Sequence, residues 1–170
     1  MFNLDADARA ALREGFDDLL AAAAKPCKVV YPPRWVNCDN CVYDPLKQLS
    51  SNRWKTGGPM PFQAGHCPLC SGKGRRAEEV SETLSLTCSW EPRDWARLVP
   101  RLAEVRVPYG LLLTRGMLAD LPKVQRCDHL VVQLPIAGLV TANYKLAGEA
   151  GDAFQFVQGR YFVAPWERAG

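Results

Sequence analysis

Apolar residues change their spacing twice along the chain, near residue 26 and again near residue 82. From 5 to 24 they recur at helical intervals, with Leu4, Ala8, Leu12, Phe16 and Leu19/Leu20 on one face. Asp5 or Asp7 can cap this helix, and acidic side chains suit its positive N-terminal end. Ala21 to Ala24 extend it, and Pro26 forces a stop. The apolar stripe is narrow and the opposite face acidic. Such a helix either packs on its own domain or docks on a neighbouring subunit.

Beyond the helix, "CKVVYPPRW" reads as a strand that Pro32 and Pro33 end. From residue 82 the period becomes two. In "ETLSLTCSW", Leu84, Leu86 and Cys88 fall on one face and Thr83, Ser85 and Thr87 on the other. "AEVRVPYGLLLTRG" reads as one or two strands and "HLVVQLPI" as another. "AFQFVQGRYFVAPWE" reads as a hairpin turning near Gln158-Gly159. "DWARLVPRL" forms a short helix or a connection. Several short strands separated by Pro and Gly predict a mainly β fold with an N-terminal helix (α+β), a small barrel or sandwich. The predicted division is a helical arm over 1–26, a β-barrel-like domain from 27–36 plus 82–170, and a module inserted at 37–81.

That inserted stretch lacks periodicity and is rich in Gly and Pro. It contains Cys38, Cys41, Cys67 and Cys70, two Cys-x-x-Cys pairs separated by residues 42 to 66. Two such turns can each aim two thiolates at one point about 2.3 Å from every sulfur, completing a tetrahedron around zinc. Turn-forming Asp39-Asn40, Pro68, Gly72 and Gly74 flank the pairs, and backbone N–H groups there can donate to the sulfurs. A thioredoxin-like dithiol would need one pair at a strand-to-helix junction, leaving the second pair unexplained. Two disulfides would need an oxidising compartment. His66 could replace Cys67 as a ligand, at the expense of the symmetric spacing. Four thiolates leave zinc no open position, so the expected role is structural, stapling an insert with little core of its own.

Composition adds bounds. The 170 residues suffice for one ordinary domain with a small insert. At 48% hydrophobic and 23% charged, the chain reads as soluble and globular. No apolar run approaches the ~20 residues of a membrane helix. The acidic N-terminus does not resemble a signal peptide, so a reducing, intracellular site of synthesis is expected, where paired cysteines favour metal. The net charge of +3 is too mild to imply nucleic-acid binding by bulk charge. The positive excess lies over 27–81, which holds eight basic and four acidic residues. "SGKGRR" (71–76) lacks the spacing of a phosphate-binding P-loop. Lys73, Arg75 and Arg76 in it are candidate contacts to nucleic acid or to another protein, and equally a solvated basic turn. Cys27, Cys88 and Cys127 lie in or beside apolar strands and are expected to be buried free thiols. His129 has no evident partner set, and the five tryptophans read mostly as core and interface residues. No nucleophile–base–acid set, Walker loop or dinucleotide glycine motif is present, so no enzyme is expected.

"CPLCSGKG" (67–74) resembles one Cys-x-x-Cys-x-Gly-x-Gly repeat of DnaJ-type chaperones, although the first pair lacks the glycines and no J-domain His-Pro-Asp is found. A longer likeness runs from 27 to 170. The two knuckles, "GGPMPF" (57–62), "ETLSLTCSW" and "GRYFVAPWERA" are together similar to small zinc-finger proteins of tailed bacteriophages, taken to be head–tail connector or neck components. This resemblance implies a virion protein made in the host cytoplasm, with zinc on Cys38, Cys41, Cys67 and Cys70. It implies a head-closure (stopper) or adaptor ring of identical copies between portal and tail proteins, without membrane contact and with channel DNA as a further neighbour. A ring uses a heterologous interface, for which the acidic helix and the basic module are a complementary pair. Loops at 109–116 and 147–152 are the expected channel-closing elements. The alternatives are a free zinc-ribbon protein that binds nucleic acid and an assembly factor that leaves before maturation.

Overall fold

A computed structural model describes residues 5–63, 65–90, 109–148, 150–152 and 160–169. The chain divides into two compact units, Met1–Tyr31 with Ser81–Gly170, and Pro32–Val80. The first begins with α1 (Ala6–Ala23). Asp5 is its cap, its carboxylate accepting from the Ala8 N–H at 2.7 Å.

The first unit is a closed barrel. Its strands are β1 (Lys25–Val30), β6 (Ser81–Ser89), β7 (Leu111–Met117), β8 (His129–Gln133), β9 (Thr141–Leu146) and β11 (Tyr161–Arg168). They run in the order β11-β7-β6-β1-β8-β9, every pair antiparallel, and β9 returns to β11 through Trp166↔Leu146 and Arg168↔Tyr144. A closed sheet leaves no unpaired edge among these strands. β10 (Gly151–Asp152) adds to the outer part of β11, opposite Val163 and Phe162. The turn expected at Gln158-Gly159 and the segment "DWARLVPRL" lie outside the described residues.

Alternation decides which side chains enter the barrel. Leu84 and Leu86 of β6 are buried, whereas Ser85 is exposed. The same rhythm places Leu130 and Val132, Ala142 and Tyr144, and Phe162, Ala164 and Trp166 inside. Each large apolar side chain fully buried here contributes about 1.5–3 kcal/mol. The buried polar tips have partners. The Trp166 indole donates to Thr114 Oγ1 at 2.8 Å, and the Tyr144 hydroxyl donates to the Tyr109 carbonyl at 2.8 Å. Pro165 sits inside β11 without breaking its ladder with β7. Its carbonyl accepts from Ala147 N–H on the β9 side, so the missing N–H falls on that side too, where the β9 pairing ends.

Between β7 and β8, a 3-10 turn (Leu118–Asp120) and α2 (Leu121–Arg126) carry the chain past β6 and β1. Val124 of α2 is fully buried in the barrel core. Neither α2 nor β9 is predicted by the sequence patterns above. The strand read within "AEVRVPYGLLLTRG" is β7, with Leu112, Leu113 and Thr114 wholly buried, so 109–116 is not the channel-closing loop also considered for it. Within 147–152, Gly151 and Asp152 form β10.

The second unit contains two small antiparallel ladders. β2 (Arg34–Asn37) pairs with β5 (Arg75–Glu78), and β3 (Cys41–Asp44) with β4 (Leu49–Trp54). The strand expected from residue 27 therefore breaks at Pro32-Pro33, and its second half belongs to this unit. The unit departs from the barrel where Val30 pairs with Ser81. Among the described residues, no helix is long and apolar enough to cross a membrane.

The helix docks on the barrel through Asp17 and through Leu20, at one edge of its expected apolar stripe. Asp17 accepts hydrogen bonds from the Arg160 guanidinium and the Tyr161 hydroxyl, and Leu20 packs on Tyr161. Leu12 and Leu19, on the expected apolar stripe, remain 48% and 67% exposed. At 100° per residue Asp17 lies about 140° from Leu12, whereas Leu20 lies about 80° away, at the edge of that stripe. The hydrogen bonds from Tyr161 and Arg160 hold the Asp17 carboxyl below its ordinary value of 3.8. A carboxyl depressed by its native partners stabilises docking above the ordinary carboxylate range and loses that contribution as pH falls through and below it. The protection of α1 amides, relative to their intrinsic exchange rate at the same pH, should therefore fall below about pH 4 before that of the barrel strands. Asp17→Asn should reproduce this at neutral pH; identical exchange in the variant would show that the contact does not anchor the helix.

Candidate metal centre

The two Cys-x-x-Cys turns of the second unit converge. The first links β2 to β3, and the second follows the long connection after β4. Cys38 and Cys67 bring their sulfurs to 3.8 Å, and Cys41 and Cys70 to 3.6 Å. All four sulfurs lie within 4.8 Å of one another and all four side chains are buried. Sulfurs placed about 2.3 Å from a tetrahedral centre stand about 3.8 Å apart. The donor set thus fits a thiophilic divalent ion, and zinc suits four thiolates in tetrahedral array.

The backbone explains the convergence. Cys38 N–H donates to the Gly74 carbonyl at 2.9 Å, extending the β2–β5 ladder into the first turn. Ser50 N–H reaches the Gly72 carbonyl at 3.0 Å and ties β4 to the second turn. Ser71 and Lys73 donate back to the Cys67 and Cys70 carbonyls at 2.8 and 3.0 Å. Gly72 and Gly74 both adopt positive φ, +83° and +68°. A Cβ on Gly74 would also lie 2.7 Å from Ser50 N and 2.8 Å from the Leu49 carbonyl carbon. The Gly-x-Gly after the second pair therefore serves both backbone conformation and close packing.

Asn40 is the feature that sequence reasoning missed, since it was read only as a turn former. It is fully buried. Its amide donates to Cys67 Sγ at 3.5 Å, and its carbonyl oxygen accepts from Met60 N–H at 2.7 Å. The "GGPMPF" stretch is thereby folded against the cluster, with Phe62 packed on the cysteines. Gly74 N–H donates to Cys70 Sγ at 3.2 Å. Burial raises the Cys67 thiol, but the Asn40 amide and the backbone N–H groups of Cys70 and Leu69 outweigh it and bring the value down to about 6. Burial pushes Cys41 up to about 12 and raises Cys38 as well. A bound divalent cation offsets that penalty by holding the sulfurs as thiolates.

The other expected residues fall as follows. His66 is exposed, its ring beside Gly72, and it is not one of the four clustered donors. Neither Cys-x-x-Cys is followed by a helix, as a thioredoxin-like dithiol would require. Arg75 lies with its guanidinium 4.6 Å from the Tyr43 ring centroid and donates to that hydroxyl. Arg76 pairs with Asp39 at 2.8 Å, and Lys73 is exposed in the turn before β5. No protein-family model, curated protein or solved structure matches the chain.

Two outcomes test the centre. Asn40→Ala should weaken zinc binding about 10- to 100-fold, as loss of an outer-shell hydrogen bond does elsewhere. Competition with a chromophoric chelator reads this directly; unchanged affinity would remove Asn40 from the site. Stripping the metal under reducing conditions should make residues 32–80 susceptible to proteolysis while the barrel stays intact. A unit of about 50 residues with little apolar core depends on such a staple.

Proposed function

We propose that the four-cysteine cluster holds a structural zinc ion, and that the chain is a head–tail connector in the neck of a tailed bacteriophage. In this reading it acts as a stopper or adaptor, its copies forming a ring between portal and tail proteins. The observation that carries the structural role is the buried cluster itself. Four thiolates fill a tetrahedral zinc and leave no site for water or substrate, so the metal stabilises rather than catalyses. Zinc binding can supply on the order of 10 kcal/mol toward folding such a module. The neck assignment rests on the resemblance carried by the two knuckles, "GGPMPF" and the aromatic C-terminal strand. Two features favour it. A small closed barrel suits a ring subunit. The exposed Leu12 and Leu19, beside the small residues Ala8, Ala11 and Gly15, offer an apolar surface for a neighbouring copy.

A free nucleic-acid-binding zinc protein is the second reading, favoured by the basic excess over 27–81. Arg75 and Arg76 work against it, because both guanidinium groups already have partners within the module.

The test is quantitative peptide mass spectrometry on gradient-purified particles, with this chain measured relative to the portal. A small fixed ratio is the expected result. Absence from particles, with abundance in the infected cell, would overturn the connector. Salt-dependent DNA binding by the zinc-loaded chain, with a slope of several phosphate contacts, would then favour the second reading.

A further inference from the structure

Three cysteines lie outside the metal cluster, and two of them meet. Cys27 on β1 stands opposite Leu84 of β6, and Leu84, Leu86 and Cys88 share the inner face of β6. β6 pairs with β1 through Leu86, then with β7 from Thr87 onward. Cys88 therefore lies just past the β1 ladder, where the strand coils across the end of β1. The two sulfurs are 3.6 Å apart. Both belong to the barrel unit, remote in function from the four sulfurs of the second unit.

We propose that Cys27 and Cys88 form an oxidisable dithiol, a covalent modification site that a low-molecular-weight disulfide converts into an intramolecular cross-link between β1 and β6. The sulfurs must close from 3.6 Å to a bond of about 2.05 Å, an approach of about 1.5 Å. Cys27 is wholly buried, whereas Cys88, at the end of the inner face of β6, is half-buried. The hydrogen bond from Cys88 lowers the Cys27 thiol and the Lys25 ammonium adds to this, while the same contact raises Cys88. Ionisation of the pair therefore removes the Cys27 proton first and leaves that of Cys88.

The exchange balances without any further reactant. Cys88 sulfur attacks the reagent RSSR, its proton passing to Cys27, and RS⁻ leaves. Cys27 then gives that proton to the departed thiolate and attacks the Cys88 sulfur of the mixed disulfide. A second RS⁻ leaves and takes up a proton from solvent, replacing the one the pair first released. Two protein thiols are oxidised to one disulfide, and one reagent disulfide is reduced to two thiols. The cross-link spans the whole insertion, since Pro32–Val80 leaves and re-enters the barrel between these two cysteines. Oxidation therefore ties the Lys25↔Leu86 end of the β1–β6 ladder, opposite the Val30↔Ser81 end from which the second unit emerges. Cys127 is a built-in comparison. Its thiol donates to the Val124 carbonyl at 3.0 Å, burial pushes it up to about 11, and among the described residues no cysteine sulfur is hydrogen-bonded to it.

The experiment exposes the zinc-loaded full chain to oxidised glutathione, then maps peptides by mass spectrometry while zinc content is followed. The expected result is a Cys27–Cys88 linked peptide with zinc retained, reversed by a reducing thiol. Cys27→Ser should leave glutathione on Cys88. Glutathione persisting on Cys88 in the unaltered chain would overturn the proposal. So would zinc loss before any cross-link forms, or Cys27 and Cys88 staying alkylatable once Cys127 has reacted. None of these readouts depends on the neck assignment.

Discussion

The antiparallel register of β1 on β6 is the constraint on which both units rest. Lys25 faces Leu86 and Val30 faces Ser81, so the last residue of one strand and the first of the other are hydrogen-bonding neighbours. A chain that leaves the barrel at Val30 and returns at Ser81 spans only an inter-strand gap, whatever lies between. The insertion therefore costs the barrel little beyond loop closure, a term that grows slowly with length. β1 also pairs with β8 on its other edge, which makes it an interior member of the closed sheet. Anything that opened the β1–β6 seam would expose Cys27 and Val29 and free both ends of the metal unit together.

The two units solve the problem of burial differently. The barrel is long enough to enclose Trp166, Phe162, Tyr144 and several branched aliphatics, and its polar tips are paired inside. The second unit has few apolar residues to enclose, and Leu46, Leu49 and Trp35 remain exposed. Its buried cluster is four cysteines with Phe62 against them. Thiols aimed at one point become an asset only when a cation neutralises them. A metal held there would take the place of a hydrophobic core. Asn40 joins the two parts of that arrangement, because it binds a ligand sulfur with one atom and the backbone of the "GGPMPF" stretch with another.

The docking of α1 shows how a specific polar contact can override an apolar pattern. The stripe of Leu12 and Leu19 would gain more from burial than Asp17 gains from an ion pair at the surface. Yet Arg160 and Tyr161 lie at the start of β11, and the helix turns Asp17 and Leu20 toward them. The apolar stripe is left on the outer side, available to a neighbour.

Period-two alternation in "ETLSLTCSW" was sufficient to determine β6 and its inner face, because each strand residue is committed to one side of the sheet. Cys-x-x-Cys spacing was sufficient to pick out the four cysteines that cluster, because a tight turn dictates where its two thiols point. Asp5, Pro26 and the helical spacing determined the extent of α1. Tertiary structure decided the rest. β9 reads "TANYKL", too polar to register as a strand until β8 and β11 supply partners on both edges. The run at 109–116 was legible as a strand, but only its place between β6 and β11 buries Leu112, Leu113 and Thr114 together. Asn40 looks like any turn residue until a chain segment twenty positions away folds over it. The meeting of Cys27 with Cys88 depends on the coiling of a closed barrel, a property of the assembled sheet that no single strand encodes.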